Sequence, residues 1–536
     1  MRLPLAAASL LLLSSPSFAG SIGAAGPVAH VTGGDITGTF IPGGAGSAVF
    51  RGVPTAQPPV GPLRWREPMP IVPWTGARPA LRPGAPAVQV DMGWNKADAQ
   101  EASEDCLYVD VWTPTMSRSA RLPVMVWLHG GGNVGGAGGA DPVYDGRAFI
   151  SRGVVLVVVE YRLGVLGFLS HPELTAESPH HSSGNYGFLD QIAALRWVRD
   201  NARQFGGDPG NVTLFGQSAG GTDVFALMAS PLAAGLFQRA ISESGILIPQ
   251  LTKTLAENEA AGLAAAGAVT APQEPTLAAL RALPAARILR ITAGSPITVD
   301  GWVFPKAPLS VWKDHGEAQV PFIVGTNAVE FAAGSREAAM QQLKGFYGPR
   351  SDEIAGLYGL AGPARPADPL YGDGLDQLGS DAFRLPSILL GAWHAEGGAP
   401  TWQYELDRAI PPNPSVGHSG DLPYVFGNFH VPGNLTGDYG PADRALSATI
   451  QGYWTALASS GNPNKAGLPA WPAYDSRGRA YMAFTKDAGT EVRTAEREGF
   501  IGAFRQALTR SLDSPAAAAP TAPDAVRNAE KASSAR

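Results

Sequence analysis

A single serine between closely spaced glycines is the first feature of this chain that could do chemistry. Residues 212–221 read VTLFGQSAGG, in which Ser218 lies in a G-x-S-x-G pattern. The residues before it are typical of a short strand, and residues 219–229 are typical of a helix. A serine at such a tight strand-to-helix turn has a strained backbone and needs small neighbours. The pattern predicts that Ser218 is a nucleophile, with an ordinary glycine-rich turn as the alternative.

A glycine-rich loop upstream could stabilise the negative charge that such an attack creates. The residues HGGG at 129–132 directly follow an apolar run at 122–128 that is typical of a strand. Glycines there let backbone N–H groups approach a substrate closely, so we predict an oxyanion loop. The alternatives are a flexible loop or a phosphate-binding loop, but the latter usually carries Gly-Lys-Ser or Gly-Lys-Thr, which this chain lacks.

A serine hydroxyl is a weak nucleophile and needs a histidine base that a carboxylate holds in place. When a G-x-S-x-G serine lies on this kind of turn, the acid and then the histidine follow it in the chain. Four histidines follow: His315, His394, His418 and His430. His418 lies in a loop pattern and is preferred, whereas His394 lies in a helical stretch typical of a structural residue. Glu330, just after an apolar run at 320–324, is the preferred acid, although the pattern leaves both choices open.

The elements that must position these residues alternate along the chain. Apolar, β-branched runs at 122–128 and 154–159 are typical of strands covered on both faces. Helical patterns lie near 187–205, 252–267, 446–459 and within 336–400, while short strands dominate before residue 112. This order predicts an α/β fold with a mostly parallel central sheet flanked by helices.

The composition limits what the protein can bind. The chain is 45% hydrophobic and 16% charged, and its net charge of −6 with no long basic block argues against a nucleic-acid partner. After the N-terminus no segment has about 20 uninterrupted apolar residues, so stable membrane insertion is not expected. Cys106 is the only cysteine, so it has no disulfide partner in its own chain; a buried structural thiol is favoured over a catalytic one.

The two ends of the chain differ from the part between them. Residues 1–19 combine a basic start, a short apolar stretch and small residues, which predicts a secretory signal peptide and export to the periplasm or beyond. An uncleaved apolar anchor is the alternative. Residues 20–513 are predicted to form one domain. Residues 514–536 are rich in Ala, Pro and Ser, which predicts a flexible tail.

Several motifs together resemble the type-B carboxylesterase and cholinesterase family of α/β-hydrolases. The resemblance covers nearly the whole chain after the N-terminal segment. Its motifs are FRGVP at 50–54, SEDCLY at 103–108, HGGG at 129–132, GNYGFLDQ at 184–191, GDPGNVT at 207–213, FGQSAGG at 215–221, DLPYVFG at 421–427 and GNPN at 461–464. This combination is far more specific than G-x-S-x-G alone.

The resemblance implies a site as well as a fold. The fold would be an α/β-hydrolase with helical insertions that form a cap around an active-site gorge. The triad would be Ser218, Glu330 and His418. Three backbone N–H groups would form the oxyanion hole, those of Gly131, Gly132 and Ala219. Ser244 would either hydrogen-bond to the triad or be an ordinary turn serine.

The chain also departs from the family pattern. The family usually has a second cysteine near residues 83–89, which here read PGAPAVQ, so Cys106 is left unpaired and a choline site at the loop of Trp94 is not expected. Asn133 stands where an aromatic residue commonly follows the three glycines. Phe331 follows Glu330 where a glycine is usual, and Asp421 replaces a common glutamate.

The reaction implied by the resemblance is the hydrolysis of a small carboxylic ester in two steps through an acyl-enzyme. No HExxH motif, Cys/His cluster or nucleotide-binding loop occurs, so neither a metal nor a cofactor is expected. Two alternatives remain. One is a serine hydrolase for amides, thioesters or lipids, and the other is a non-catalytic, cholinesterase-like binding module.

Overall fold

In the computed structural model, eleven of the sixteen strands in the described residues form one mixed sheet. The structure describes residues 26–513 apart from 45, 293–294, 363–364, 410–412, 414, 432–434, 476 and 495–496, so the predicted signal peptide (1–19) and tail (514–536) lie outside the described residues. The strands are β1 (Val28–Val31), β2 (Gly34–Thr37), β3 (Thr39–Phe40), β4 (Ala48–Pro54), β5 (Ala77–Pro79), β6 (Tyr108–Thr113), β7 (Leu122–Leu128), β8 (Val155–Val159), β9 (Gly207–Gln217), β10 (Arg239–Glu243), β11 (Thr252–Thr254), β12 (Ile297–Val299), β13 (Phe322–Asn327), β14 (Thr401–Leu406), β15 (Ala480–Phe484) and β16 (Thr490–Thr494).

Helices connect these strands and cover the sheet. They are α1 (Lys96–Glu101), α2 (Arg147–Ile150), α3 (Gly164–Phe168), α4 (Pro172–Glu177), α5 (Tyr186–Asn201), α6 (Ala219–Met228), α7 (Leu255–Thr270), α8 (Leu277–Ala282), α9 (Ala285–Ile288), α10 (Pro308–Lys313), α11 (Arg336–Tyr347), α12 (Ser351–Leu357), α13 (Gly374–Glu396), α14 (Leu422–Phe426), α15 (Pro441–Ser460) and α16 (Glu498–Asp513). One prediction needs correction: residues 252–254, expected to begin a helix, form β11, and α7 begins at Leu255.

The large sheet has the order β16-β15-β14-β13-β10-β9-β7-β8-β6-β4-β3. Every pairing from β15 through β8 is parallel, whereas the pairings at both edges are antiparallel. The prediction of a mostly parallel sheet is therefore confirmed. Because neighbouring parallel strands end at the same edge, the loops after β7, β9, β10, β13 and β14 lie side by side.

The β-branched runs produce two cores, one on each face of the sheet. Along β7, Val124, Val126 and Leu128 belong to one buried cluster, while Met125 and Trp127 belong to the other. Helix α6 contacts β9 and β10 on the first face, and α15 contacts β7 and β9 on the second. Fully buried alternating side chains explain why these strands read as uninterrupted apolar runs in the sequence.

A third, smaller core lies among the helices inserted late in the chain. It joins α11, α12, α13 and α16 through buried side chains that include Leu343, Ile354 and Leu378. Helix α13 also packs on β13 and β14, so this helical layer is anchored to the sheet. The inserted helices predicted between 336 and 400 are thus present, and one of them, α13, reaches the site described next.

Candidate active site

Ser218 occupies the sharp turn between β9 and α6, with φ 58° and ψ −121°. Residues with a side chain rarely adopt this backbone conformation. A Cβ on Gly216 would lie 2.6 Å from the backbone of Gly220, and a Cβ on Gly220 would lie 2.0 Å from the carbonyl oxygen of Leu128. The small neighbours that the sequence places around Ser218 are therefore required by direct steric contact.

Ser218, His418 and Glu330 form one hydrogen-bonded chain. Nε2 of His418 lies 2.7 Å from Oγ of Ser218, and Nδ1 of His418 lies 2.6 Å from Oε2 of Glu330. A carboxylate can only accept hydrogen bonds, so Nδ1 carries the hydrogen and Nε2 is left to accept the proton of the serine hydroxyl. The structure thus brings together all three residues that the sequence suggested for the triad.

Glu330 is held at both oxygens. It is 4% exposed. Its Oε1 accepts hydrogen bonds from Oγ of Ser244 at 2.6 Å and from the backbone N–H of Asn327 at 2.8 Å, while Oε2 faces His418. Ser244 is fully buried and lies just after β10. The structure therefore places Ser244 against the acid rather than in an isolated turn.

Two amide side chains that the sequence analysis did not single out hold the His418 loop. Nδ2 of Asn327 donates to the carbonyl oxygens of Gly417 and His418, both at 2.8 Å, and Nε2 of Gln217 donates to the carbonyl of His418 at 3.0 Å. Both residues end strands of the parallel sheet, β13 and β9. Their position at a strand end beside the nucleophile and the acid is the one sequence signal that could have identified them.

The other histidines considered as bases lie elsewhere. His394 is buried on α13, where Nδ1 pairs with Glu317 at 2.7 Å and Nε2 bonds to the carbonyl of Val320 at 2.8 Å. His315 and His430 are exposed. His394 is therefore a structural residue, in agreement with its helical sequence pattern.

The glycine loop after β7 and the N-terminus of α6 meet beside Ser218. A Cβ added to Gly130 would lie 3.0 Å from Cβ of Ser218. Gly131 and Gly132 have φ values of 107° and 65°, which favour glycine. Within the described residues, the backbone N–H groups of Gly131, Gly132 and Ala219 donate to no protein acceptor. This geometry leaves three donors available to an oxygen near Ser218.

Aromatic side chains border the histidine and the glycine loop. The rings of Phe331 and Phe383 lie 4.4 and 4.7 Å from the His418 ring, measured between centroids. Trp94 is 43% exposed, and its indole lies against Gly131. The walls nearest the reactive groups are thus apolar, which suits an uncharged substrate portion.

Further carboxyl groups are buried behind the triad. Burial, together with the negative charge of Glu330, raises the pKa of Asp421 to about 7. Burial and the neighbouring Asp421 raise the pKa of Glu243 well above its usual value, although Glu243 accepts a hydrogen bond from Nε1 of Trp454 at 2.6 Å. Burial thus keeps these groups protonated to a higher pH than usual, which lowers the negative charge next to Glu330.

The described residues offer neither a metal site nor a membrane-spanning helix. No group of three or more His, Cys, Asp or Glu side chains there is arranged to hold a metal ion. No helix in the same part of the chain combines the length and apolarity that crossing a bilayer requires. Cys106 is buried and free.

Comparison with known proteins agrees with this architecture. The profile of the carboxylesterase family matches residues 25–347 and 362–500. Liver carboxylesterase of Sus scrofa is 37% identical over 489 residues, covering 80% of this chain and 83% of that protein. Fumonisin B1 esterase of Sphingopyxis macrogoltabida is 34% identical over 457 residues, covering 82% and 84%. The medium-chain fatty acyl-CoA hydrolase precursor of Anas platyrhynchos is 36% identical over 507 residues, covering 86% and 89%.

Solved structures give the same result. A PNB esterase superposes with a TM-score of 0.74 at 31% identity, covering 90% of this chain and 99% of its own. A thermophilic PNB esterase superposes with a TM-score of 0.76 at 30% identity, covering 89% and 99%. The parallel sheet and the serine turn therefore define an α/β-hydrolase. The chain belongs to the carboxylesterase family and is a carboxylic-ester hydrolase.

Proposed function

We propose that Ser218, His418 and Glu330 hydrolyse a small carboxylic ester through a covalent acyl-enzyme. The observation that carries this proposal is the continuous chain from Oγ of Ser218 through both ring nitrogens of His418 to Glu330, at 2.7 and 2.6 Å. His418 takes the hydroxyl proton as Oγ attacks the ester carbonyl carbon. The carbonyl oxygen becomes an oxyanion.

The oxyanion binds to the N–H groups of Gly131, Gly132 and Ala219, and the tetrahedral intermediate then collapses. The bond to the alcohol oxygen breaks, and His418 returns the proton to that leaving group. Water then attacks the acyl-enzyme by the same route: His418 accepts a proton from water, and Ser218 leaves with that proton while the carboxylic acid is released. Glu330 orients the imidazole and stabilises its cation throughout.

The decisive experiment removes the nucleophile. We expect Ser218→Ala to lower kcat for p-nitrophenyl esters by at least about 10⁴-fold and to abolish covalent labelling by an organophosphate. Ser230→Ala is the control, because Ser230 is buried and its hydroxyl bonds to the carbonyl of Val303, outside the triad. Turnover and labelling that persist in Ser218→Ala would refute the proposal. Wild-type protein that binds esters but neither turns them over nor is labelled would favour the non-catalytic module.

A second candidate substrate class is a thioester. One relative is named as a fatty acyl-CoA hydrolase, and a thioester presents the same carbonyl carbon to Ser218. A panel with one acyl chain, offered as p-nitrophenyl ester, coenzyme A thioester and p-nitroanilide, separates the classes. We expect the oxygen ester to have the highest kcat/KM. Anilide turnover without ester turnover would contradict the proposed specificity.

Export of the protein to the periplasm or the extracellular medium is part of the same proposal. The pattern of residues 1–19 supports it. N-terminal sequencing of the protein recovered outside the cytoplasm should begin after residue 19. Recovery of the intact N-terminus in a membrane fraction would indicate an uncleaved anchor instead.

A further inference from the structure

One buried hydrogen bond links the two parts of the oxyanion hole. Asn133 directly follows Gly132, and its Nδ2 donates to Oδ1 of Asp223 at 2.8 Å. Asp223 lies four residues after Ala219 on α6, so both lie on one helix face a single turn apart. The bond therefore connects the glycine loop, at the residue after Gly132, to the first turn of the helix that begins at Ala219.

Both side chains of this bond are fixed by further contacts. Asn133 and Asp223 are 3% and 0% exposed. Oδ1 of Asn133 lies 3.2 Å from the hydroxyl of Tyr161, which also lies 2.8 Å from the carbonyl oxygen of His129. The backbone carbonyl of Asn133 accepts from the N–H of Gly164 at 2.6 Å. Oδ2 of Asp223 accepts from Nε2 of Gln191, on α5, at 2.6 Å. Neither end of the bond can turn away without breaking another contact.

We propose that Asn133 and Asp223 are positioning residues that set the distance between the glycine loop and the N-terminus of α6, so that all three N–H groups meet one substrate oxygen. The inference rests on the proposed function, because only a developing oxyanion depends on that distance. Donors stabilise such an oxygen well only within about 2.7–3.1 Å. A loop that moved by even about 1 Å would lose the contribution of one or two donors.

The backbone conformation of Asn133 supports its pairing with Asp223. Its φ of 58° is left-handed, a region in which Asn and Asp are enriched among residues with a side chain. The residue that follows the three glycines must therefore tolerate this backbone and also reach Asp223. An asparagine meets both requirements.

The first test removes the hydrogen-bond acceptor, Asp223, which lies within helix α6, where alanine is well tolerated. We expect Asp223→Ala to lower kcat per titrated active site by about 10- to 100-fold, with KM changed less than about threefold. Affinity for a trifluoromethyl ketone, whose adduct with Ser218 carries an oxyanion, should fall by the same factor. Affinity for the methyl ketone without fluorine, which binds mainly unreacted, should change little.

Asn258→Ala is the matched control. Asn258 is also buried, and its Nδ2 donates to Oγ1 of Thr298 at 2.8 Å, away from Ser218 and the glycine loop. This variant loses a comparable buried bond, so its thermal unfolding midpoint should fall while kcat per active site stays near that of the wild type. If Asp223→Ala behaved in the same way, the bond would only stabilise the fold, and the inference would be wrong.

The second test exchanges the two groups and does not rely on Asp223→Ala folding. Asn133→Asp alone removes the amide donor of this bond and adds a second buried acid beside Asp223, and should lower kcat. Combining it with Asp223→Asn reverses the donor and the acceptor: Asn at 223 can donate to Asp at 133, and both residues can still accept from Gln191 and Tyr161. The kcat of the double variant should exceed that of Asn133→Asp alone by at least about tenfold.

A double variant no more active than Asn133→Asp alone would overturn the inference. Failure of the proposed function looks different, because then Ser218→Ala itself would remain active. The exchange therefore tests the positioning role independently of the identity of the nucleophile.

Discussion

Nδ1 of His418 lies 2.6 Å from Oε2 of Glu330, while the other oxygen of the same carboxylate accepts from Ser244 and Asn327. In Glu330→Gln the amide oxygen should stay with those two donors, so its NH₂ group would face Nδ1. The imidazole must then carry its hydrogen on Nε2, where it cannot accept the proton of Ser218. We expect kcat to fall by about 10⁴-fold in p-nitrophenyl ester assays.

A second buried Glu–His pair provides the control for this variant. Glu317 lies 2.7 Å from Nδ1 of His394, and both side chains are fully buried. Glu317→Gln disturbs an equivalent pair but no group that contacts Ser218, so kcat per active site should stay within about twofold of the wild type. A kcat for Glu330→Gln within tenfold of the wild type would contradict the orienting role of Glu330.

Ser244→Ala removes one of the two donors to Oε1 of Glu330. The backbone N–H of Asn327 remains, so the carboxylate keeps its position but is held less firmly. A hydrogen bond to a charged group contributes about 1.5–3 kcal/mol, and part of it is compensated here, so we expect kcat to fall by about 3- to 30-fold with KM unchanged. Steady-state kinetics of Ser244→Ala, measured together with Ser230→Ala as the control, test this. Equal kcat values for the two variants would make Ser244 an ordinary turn serine.

Gly131→Ala tests the glycine loop. A Cβ at Gly131 would lie 2.1 Å from the carbonyl oxygen of Gly135, and φ there is 107°. The loop must move, so we expect kcat for p-nitrophenyl esters to fall by about 10²- to 10³-fold. Gly153→Ala is the control, since Gly153 has φ 77° with no heavy atom within 4 Å of the added Cβ. It carries only the backbone strain, about 1 kcal/mol, and should leave kcat near the wild-type value.

Asp223→Asn should change how stability depends on pH. Burial raises the pKa of Asp223 to about 7, against an ordinary value of 3.8. Between these values the folded protein holds a proton that the unfolded chain releases, so the wild type loses stability as pH rises towards 7. The asparagine variant lacks this loss. Its free energy of unfolding, relative to the wild type, should be about 2 kcal/mol greater at pH 8 than at pH 5.5.

Urea unfolding of both proteins at the two pH values measures this difference. Activity at each pH serves as the control for folding, since Asn at 223 can still accept from Asn133. A difference that is the same at pH 5.5 and pH 8 would show that Asp223 does not titrate in this range.

The strongest sequence signals were local. The uninterrupted apolar run of β7 and the serine turn of residues 216–220 each combine a hydrophobic pattern with a steric requirement, so both the parallel sheet and the position of Ser218 could be predicted. Among the histidines, pattern alone left His418 and Glu330 as preferences, and the family resemblance made the selection. Their hydrogen-bonded arrangement is consistent with that selection.

Contacts between remote segments could not be predicted. Gln217 reaches the carbonyl of His418 across 201 residues, and Asn133 reaches Asp223 across 90. Such bonds depend on the loops that meet at one edge of the sheet, not on any periodicity near either residue. Asn133 was visible only as a departure from its family, and a departure does not by itself indicate a partner. The strand Thr252–Thr254 was missed because it is three residues long and joins an alanine-rich helix.

Ser218 and His418 are separated by 200 residues of chain, and Glu330 lies between them. While the polypeptide is still being synthesised, the serine leaves the ribosome long before its base exists. Under the proposed mechanism, a nascent chain therefore has no activated hydroxyl. Under that mechanism, reactivity arises only when the loop that carries His418 has reached the sheet, so the order of synthesis itself delays the onset of catalysis.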